Sequence, residues 1–271
     1  MRHLLTIITA FAVLCTLAGC GGDARSDRLA AAQQAKVLRI GVKADNPPFG
    51  AARTAGGFRG FDVDIAAAIA ERLGCTPEFS AVTSADRFAR LADGSIDLVV
   101  ATTTITRSRE RLADFSVPYF QDGQALLVRT GSGIAGYQAL AQRRVGAVTG
   151  STSLDTMKQV APEAEVIGYP TLAAARDDLL AGKLDAITSD AFILMGLRQG
   201  EPRLSFAGGR FSTEPYGVAM AQGQSALRDA VNEALMELWD SGQWRAIYDT
   251  WFGPGTPFAT EIRFAVPVVP R

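Results

Sequence analysis

The chain is predicted to be α/β with two similar sheet-containing units, and two observations predict it. From Val37 onward, apolar segments of strand length alternate with segments of helical period, the pattern of strands joined by helices in parallel sheets. The stretch Leu91-Ala92-Asp93-Gly94-Ser95-Ile96-Asp97-Leu98-Val99-Val100 is then echoed by Leu179-Leu180-Ala181-Gly182-Lys183-Leu184-Asp185-Ala186-Ile187-Thr188. Each is a helix end, a glycine, an apolar-Asp-apolar strand and a polar stretch. Two unrelated βαβ units would share much of this, so duplication and plain recurrence both stand.

Taken in order, 37–42 reads as a short buried strand. Phe61, Ile65, Ile69 and Leu73 recur at helical spacing, with Asp62 and Asp64 at the front and Gly74 behind. That is a helix with acids at its positive end and a glycine stop. Residues 78–82 form a strand, 85–92 a short helix and 96–100 a strand. After a break at Gln121-Asp122-Gly123 the alternation resumes, with strands at 145–148, 166–169 and 184–188 and helices at 151–160 and 171–181. Residues 216–220 are a strand, Leu227, Val231, Leu235, Leu238 and Trp239 form a helical apolar face, and 244–252 is a further helix. The proline-containing tail from Gly253 is expected to be poorly ordered. Thr102 and Asp190 fall at equivalent places just beyond strand ends. Ligands of open α/β sheets sit outside the carboxyl ends of strands, so both should face one cleft.

The N-terminus sets the compartment. Arg2 precedes an uncharged apolar run at 4–17, shorter than the ~20 residues of a membrane span. It ends in Leu17-Ala18-Gly19-Cys20, which resembles the lipobox of bacterial lipoproteins, so residues 1–19 read as a signal peptide and Cys20 as the lipidated first residue. Residues 20–36, opening with a small and charged stretch, read as a tether to the membrane surface. An ordinary signal peptide with an incidental cysteine is the alternative. His3 is the only histidine in the 271-residue sequence and leaves with the signal, so a histidine-based triad, dyad or metal site is excluded. Cys15 leaves too, and Cys75 beside Gly74 reads as a small buried filler. A net charge of −1 without a basic run argues against a nucleic-acid partner. No cofactor or metal is expected.

Three features carry chemistry. Thr102-Thr103-Thr104-Ile105-Thr106-Arg107-Ser108-Arg109 leaves a strand rich in hydroxyls and ends in arginine, Gly150-Ser151-Thr152 opens a helix whose first N–H groups are available to an anion, and Asp190 follows a buried strand. Together they match a free amino acid, whose carboxylate needs a bidentate cation and N–H groups and whose ammonium needs a carboxylate. Singly, each has a structural alternative: threonines suit strands, Gly-Ser-Thr is a common helix entry, and Asp190 could serve only as an N-cap.

Gly60-Phe61-Asp62-Val63-Asp64, Gly94-Ser95-Ile96-Asp97-Leu98, Thr104-Ile105-Thr106-Arg107-Ser108-Arg109, Asp114-Phe115-Ser116-Val117-Pro118-Tyr119 and Val145-Gly146-Ala147-Val148-Thr149-Gly150-Ser151-Thr152 occur in this order. The set resembles the bacterial extracellular solute-binding proteins of family 3, the polar amino acid-binding components of ABC importers, from Val37 to Phe252. The resemblance implies a periplasmic-binding-protein-like fold, two Rossmann-like lobes joined by a two-strand hinge. Lobe 1 would be 37–121 plus 215–252, lobe 2 122–214, and 253–271 a tail. It implies that Arg109 grips the α-carboxylate, helped by backbone N–H groups of Thr104 and Thr152. Asp190 would hold the ammonium, helped by oxygens of Thr102 and Thr104. Val82-Thr83-Ser84-Ala85-Asp86-Arg87 with Tyr119-Phe120-Gln121-Asp122-Gly123-Gln124 is similar to the glutamate/aspartate branch, where Ser84 and Arg87 would meet a distal carboxylate and Lys43 would add a cation. Some members supply a histidine from the second lobe; here Leu172 lies near that place. The implied partners are a free amino acid, an ABC permease with its ATPase, and the membrane through a lipid anchor, with the protein itself a monomer. A cyclohexadienyl or arogenate dehydratase-like enzyme on the same fold, or an orphan amino-acid sensor, are the rival functions.

Overall fold

The computed structural model describes residues 27–260; the signal segment, Cys15, Cys20, the start of the tether and residues 261–271 lie outside them. Helix α1 (Arg28–Ala35) precedes β1 (Val37–Val42), a small meander of β2 (Asp45–Asn46), β3 (Gly50–Ala52) and β4 (Phe58–Arg59), and α2 (Phe61–Arg72). Then follow β5 (Thr76–Ala81), α3 (Arg87–Ala92), β6 (Leu98–Val99), β7 (Asp114–Phe115) and β8 (Phe120–Asp122). The second sheet is built from β9 (Gln124–Arg129), β10 (Arg144–Val148), α4 (Thr152–Val160), β11 (Glu165–Tyr169), α5 (Leu172–Leu180), β12 (Ala186–Asp190), α6 (Ala191–Arg198) and β13 (Leu204–Ala207). The chain returns through β14 (Glu214–Tyr216) to β15 (Ala219–Met220), α7 (Ser225–Asp240) and α8 (Gln243–Phe252).

Two five-stranded sheets result, ordered β5-β1-β6-β15-β7 and β11-β10-β12-β9-β13. In each, three neighbouring strands are parallel, as the alternation of strand and helix requires. The expectation of wholly parallel sheets needs correction. β15 runs antiparallel to β6 and β7, and β9 antiparallel to β12 and β13. Both strands enter their sheet directly from the passage between lobes, without the crossover helix that makes a strand parallel. The passage is an antiparallel ribbon of β8 and β14, in register Phe120↔Tyr216, Gln121↔Pro215 and Asp122↔Glu214.

Aromatic packing surrounds this ribbon. Phe120 stacks on Tyr216 at 5.8 Å, while Phe192, from α6, lies 5.7 Å from Phe120 and 5.0 Å from Phe252. Burying such side chains contributes ~2–3 kcal/mol each, so the two lobes share an apolar core at the hinge.

Four local expectations change. Residues 28–35, read as tether, form a helix capped by Asp27, whose carboxylate accepts from the Ala30 N–H at 3.1 Å. Arg28 fastens it to lobe 1 by donating to the Ile96 carbonyl at 3.1 Å. Part of the tail is also packed, since Phe258 joins the first core and the Thr260 N–H donates to the Phe252 carbonyl. The strand read at 216–220 is two strands: Gly217 and Val218 turn the chain from ribbon into sheet. Finally, α6 and β13 went unread: α6 follows β12 without a glycine or proline break, and β13 is a run of only four residues beyond Gly200 and Pro202. Gly74 does end α2 as expected, at φ +70°, and Cys75 is buried beside it.

Candidate functional site

Lys43, Ser84, Thr102, Ser151, Leu172 and Asp190 lie at or just beyond the carboxyl ends of β1, β5, β6, β10, β11 and β12, and all line one cavity between the lobes. Its volume is about 420 Å³, open solvent at the mouth included. The structure brings all eight sequence-predicted residues to it: Lys43, Ser84, Arg87, Thr102, Thr104 and Arg109 from lobe 1, Thr152 and Asp190 from lobe 2. Each is at least partly buried. Val148, Leu172 and Ile193 add an apolar wall, and Asn46 and exposed Asp45 sit at the rim of the β1–β3 turn.

The cations are held by neutral groups. Arg109 Nη1 donates to the Thr104 carbonyl at 2.9 Å, and Nη2 reaches across the cleft to the Gly150 carbonyl at 3.2 Å. Arg87 Nη1 donates to the Ala101 carbonyl and Thr103 Oγ1 at 3.0 and 3.1 Å, while its buried Nε has no partner. Lys43 Nζ donates to Ser84 Oγ at 2.9 Å. The Phe88 ring lies beneath both guanidinium groups, at 5.4 Å from Arg87 and 5.8 Å from Arg109. None of the three cations forms a salt bridge with a carboxylate among the described residues. Their electrostatics follow. Burial, then repulsion from Arg109, lowers Arg87 to about 9; burial, then Arg87, lowers Lys43 to about 8.

The single buried lining carboxylate answers them from lobe 2. Asp190 Oδ2 accepts from the Tyr216 hydroxyl at 2.5 Å, and Oδ1 is buried without a partner. Burial, then Asp122 and Glu214, pushes Asp190 well above the usual carboxylate range. Asp190 therefore has a free acceptor and an electrostatic demand for a cation.

Two arrangements support the backbone of the site. Thr102 is a non-glycine residue at φ +46°, held by Asp62, which accepts from its N–H at 2.7 Å and from the Tyr119 hydroxyl at 2.9 Å. Ser151, the N-cap of α4, turns its hydroxyl back to the Val148 carbonyl instead of capping the helix. The first-turn N–H groups of α4 are thus left for an anion. Thr152 Oγ1 is tied to the hinge by donating to Glu214 Oε2 at 3.0 Å.

Sequence reasoning missed Ile193, Val148 and Asn46 on the wall, and Tyr216 behind Asp190. Ile193 had no legible place because α6 was unread. Tyr216 stood in a recognised strand, but nothing local points its hydroxyl at a residue of the other lobe.

A cleft between two such lobes, with cations that form no salt bridge on one side and a carboxylate with a free acceptor on the other, suits a small zwitterion. The chain belongs to the bacterial extracellular solute-binding proteins, family 3, which it matches over residues 38–254. It is 38% identical over 261 residues to the ABC transporter glutamine-binding protein GlnH of Bacillus subtilis, covering 91% of this chain and 95% of that one. It is 33% identical over 260 residues to the glutamate-binding protein GluB of Corynebacterium efficiens, covering 89% and 88%. A solved ancestral arginine-binding protein bound to glutamine shares the fold with a TM-score of 0.77 and 37% identity, covering 80% of this chain and 98% of that one. The protein is an extracytoplasmic amino-acid-binding component of an ABC transporter, and not an enzyme.

Proposed function

We propose that the protein captures an acidic amino acid, glutamate or aspartate, and delivers it to an ABC permease while tethered to the membrane by lipid on Cys20. The observation that carries the ligand assignment is the pair of buried cations, Arg87 and Lys43, that form no salt bridge with a carboxylate among the described residues. Arg109 and Asp190 suffice for the two charges common to every amino acid: Arg109 with the N–H groups of Thr104 and Thr152 takes the α-carboxylate, and Asp190 with oxygens of Thr102 and Thr104 takes the ammonium. Arg87, Lys43 and Ser84 then remain for the side chain. A desolvated distal carboxylate needs such compensation. A carboxamide matches neither positive charge.

Glutamine is the second reading, favoured by the 38% identity to the glutamine-binding protein of Bacillus subtilis. Calorimetry separates the two. Wild type is expected to bind glutamate more tightly than glutamine. Arg87→Ala is expected to weaken glutamate by about 3 kcal/mol, roughly a hundredfold, with little change for glutamine. A wild-type preference for glutamine, or equal losses for both ligands, overturns the acidic assignment.

A further inference from the structure

Two glycines of lobe 2 approach lobe 1 backbone beside the cavity. At one, a Cβ on Gly150 would stand 2.7 Å from the Ser84 carbonyl oxygen and 3.0 Å from Ala85 Cα. Gly150 also has φ +79°, so its own turn demands glycine whatever the lobes do. The other contact is free of that complication. Gly196 lies inside α6, outside the left-handed region, and a Cβ there would stand 2.0 Å from the Pro47 carbonyl oxygen and 2.9 Å from its carbonyl carbon. Pro47 belongs to the β2–β3 turn of lobe 1, and the opposing atoms are backbone that no side-chain rotation can move aside.

Within its helix Gly196 is locally less favourable than alanine. The three nearest atoms that a Cβ there would meet all belong to Pro47 of the other lobe. The contact also borders the site: Ile193, one turn earlier on α6, and Asn46, next to Pro47, both line the cavity. We infer that Gly196 is a closure-determining residue. Its bare Cα face lets α6 seat on the Pro47 carbonyl, and this contact sets how far lobe 2 can close over a bound amino acid. Gly196 does not line the cavity and acts as a positioning residue through the lobe interface. The inference rests on amino-acid capture by the cleft, but not on which amino acid is captured.

The test is Gly196→Ala in the mature protein, with Gly209→Ala as the control, since a Cβ at Gly209 meets nothing within 4 Å. Both variants and wild type are titrated calorimetrically with a panel of the common amino acids, glutamate and glutamine included. Small-angle scattering is recorded with and without the tightest binder, and the ligand-free forms are melted. Gly196→Ala is expected to weaken every ligand about tenfold or more, to lose ligand-induced compaction, and to melt without ligand at or above the wild-type temperature. Gly209→Ala should behave as wild type. Affinities within about twofold of wild type with normal compaction would overturn the inference. So would a clear drop in ligand-free melting temperature, which would place the role of Gly196 in lobe 2 packing. The glutamate-to-glutamine ratio should stay at its wild-type value, so the acidic assignment can fail while closure control stands, and the reverse.

Discussion

Burial and the neighbouring Arg87 hold the Lys43 ammonium at about 8. A distal carboxylate favours the protonated form, so binding glutamate draws in a proton once the pH passes that value. Glutamate affinity should therefore fall as pH rises from 7 to 9, while glutamine affinity changes less; the α-amino titration common to both ligands cancels in the ratio. Lys43→Met should flatten this slope, and calorimetry at several pH values checks it. Stability of the ligand-free protein moves the other way. The unfolded lysine titrates near its ordinary 10.5 and the folded one near 8, so between them the unfolded chain holds more protons and Lys43's contribution to stability rises with pH. At this scale the site was largely legible: eight residues chosen by chemistry and resemblance stand around one cavity. What stayed hidden was the bonding of each, because the carbonyls of Ala101, Thr104 and Gly150 become acceptors only through the fold.

The echo between the two units proves to be an echo of bonds. In lobe 1 the Asp97 carboxylate accepts from the Arg39 N–H at 3.0 Å and from its guanidinium, which also donates to the Gly94 carbonyl. In lobe 2 Asp185 accepts from the Arg144 N–H at 2.9 Å and from its guanidinium, which donates to the Gly182 carbonyl. A Cβ on Gly41 would strike Ile96, and one on Gly146 would strike Leu184, the residue at the matching place. In each unit the aspartate ties the loop before one strand to the backbone of its parallel neighbour. Asp97→Ala should therefore cost ~2–3 kcal/mol, since it strands a backbone donor. Arg39→Ala should cost below ~1 kcal/mol, because the Arg39 side chain is 42% exposed. Denaturant unfolding of the two variants measures the difference. Strands and helices with a clear period, such as α2 and α7, were legible in the sequence. α6 was not, because it is buried at the lobe interface and its apolar residues show no polar face.

For the whole molecule, the paired strands β8 and β14 form the hinge and the aromatic residues around Phe120 form the pivot on which α6 rests. Two contacts cross the cleft: Arg109 to the Gly150 carbonyl, and Gly196 against Pro47. Helix α1, docked on lobe 1 through Arg28, overlaps the proposed tether. Detergent phase partitioning checks the anchor: wild type should enter the detergent phase and Cys20→Ser should not be processed as a lipoprotein, and release of both forms into the aqueous phase would remove the lipid from this picture.

From the sequence alone came the α/β class, two units, the acid-led and glycine-stopped α2, and the residues with the chemistry for a zwitterion. These follow from period, turn residues and side-chain type, all properties of near neighbours in the chain. Only the tertiary structure decided that β9 and β15 run antiparallel, that Tyr216 donates to Asp190, that residues 28–35 dock as a helix, and that Gly196 meets Pro47. Each of these depends on where segments distant in sequence pass one another, and nothing in a local window of residues specifies that approach.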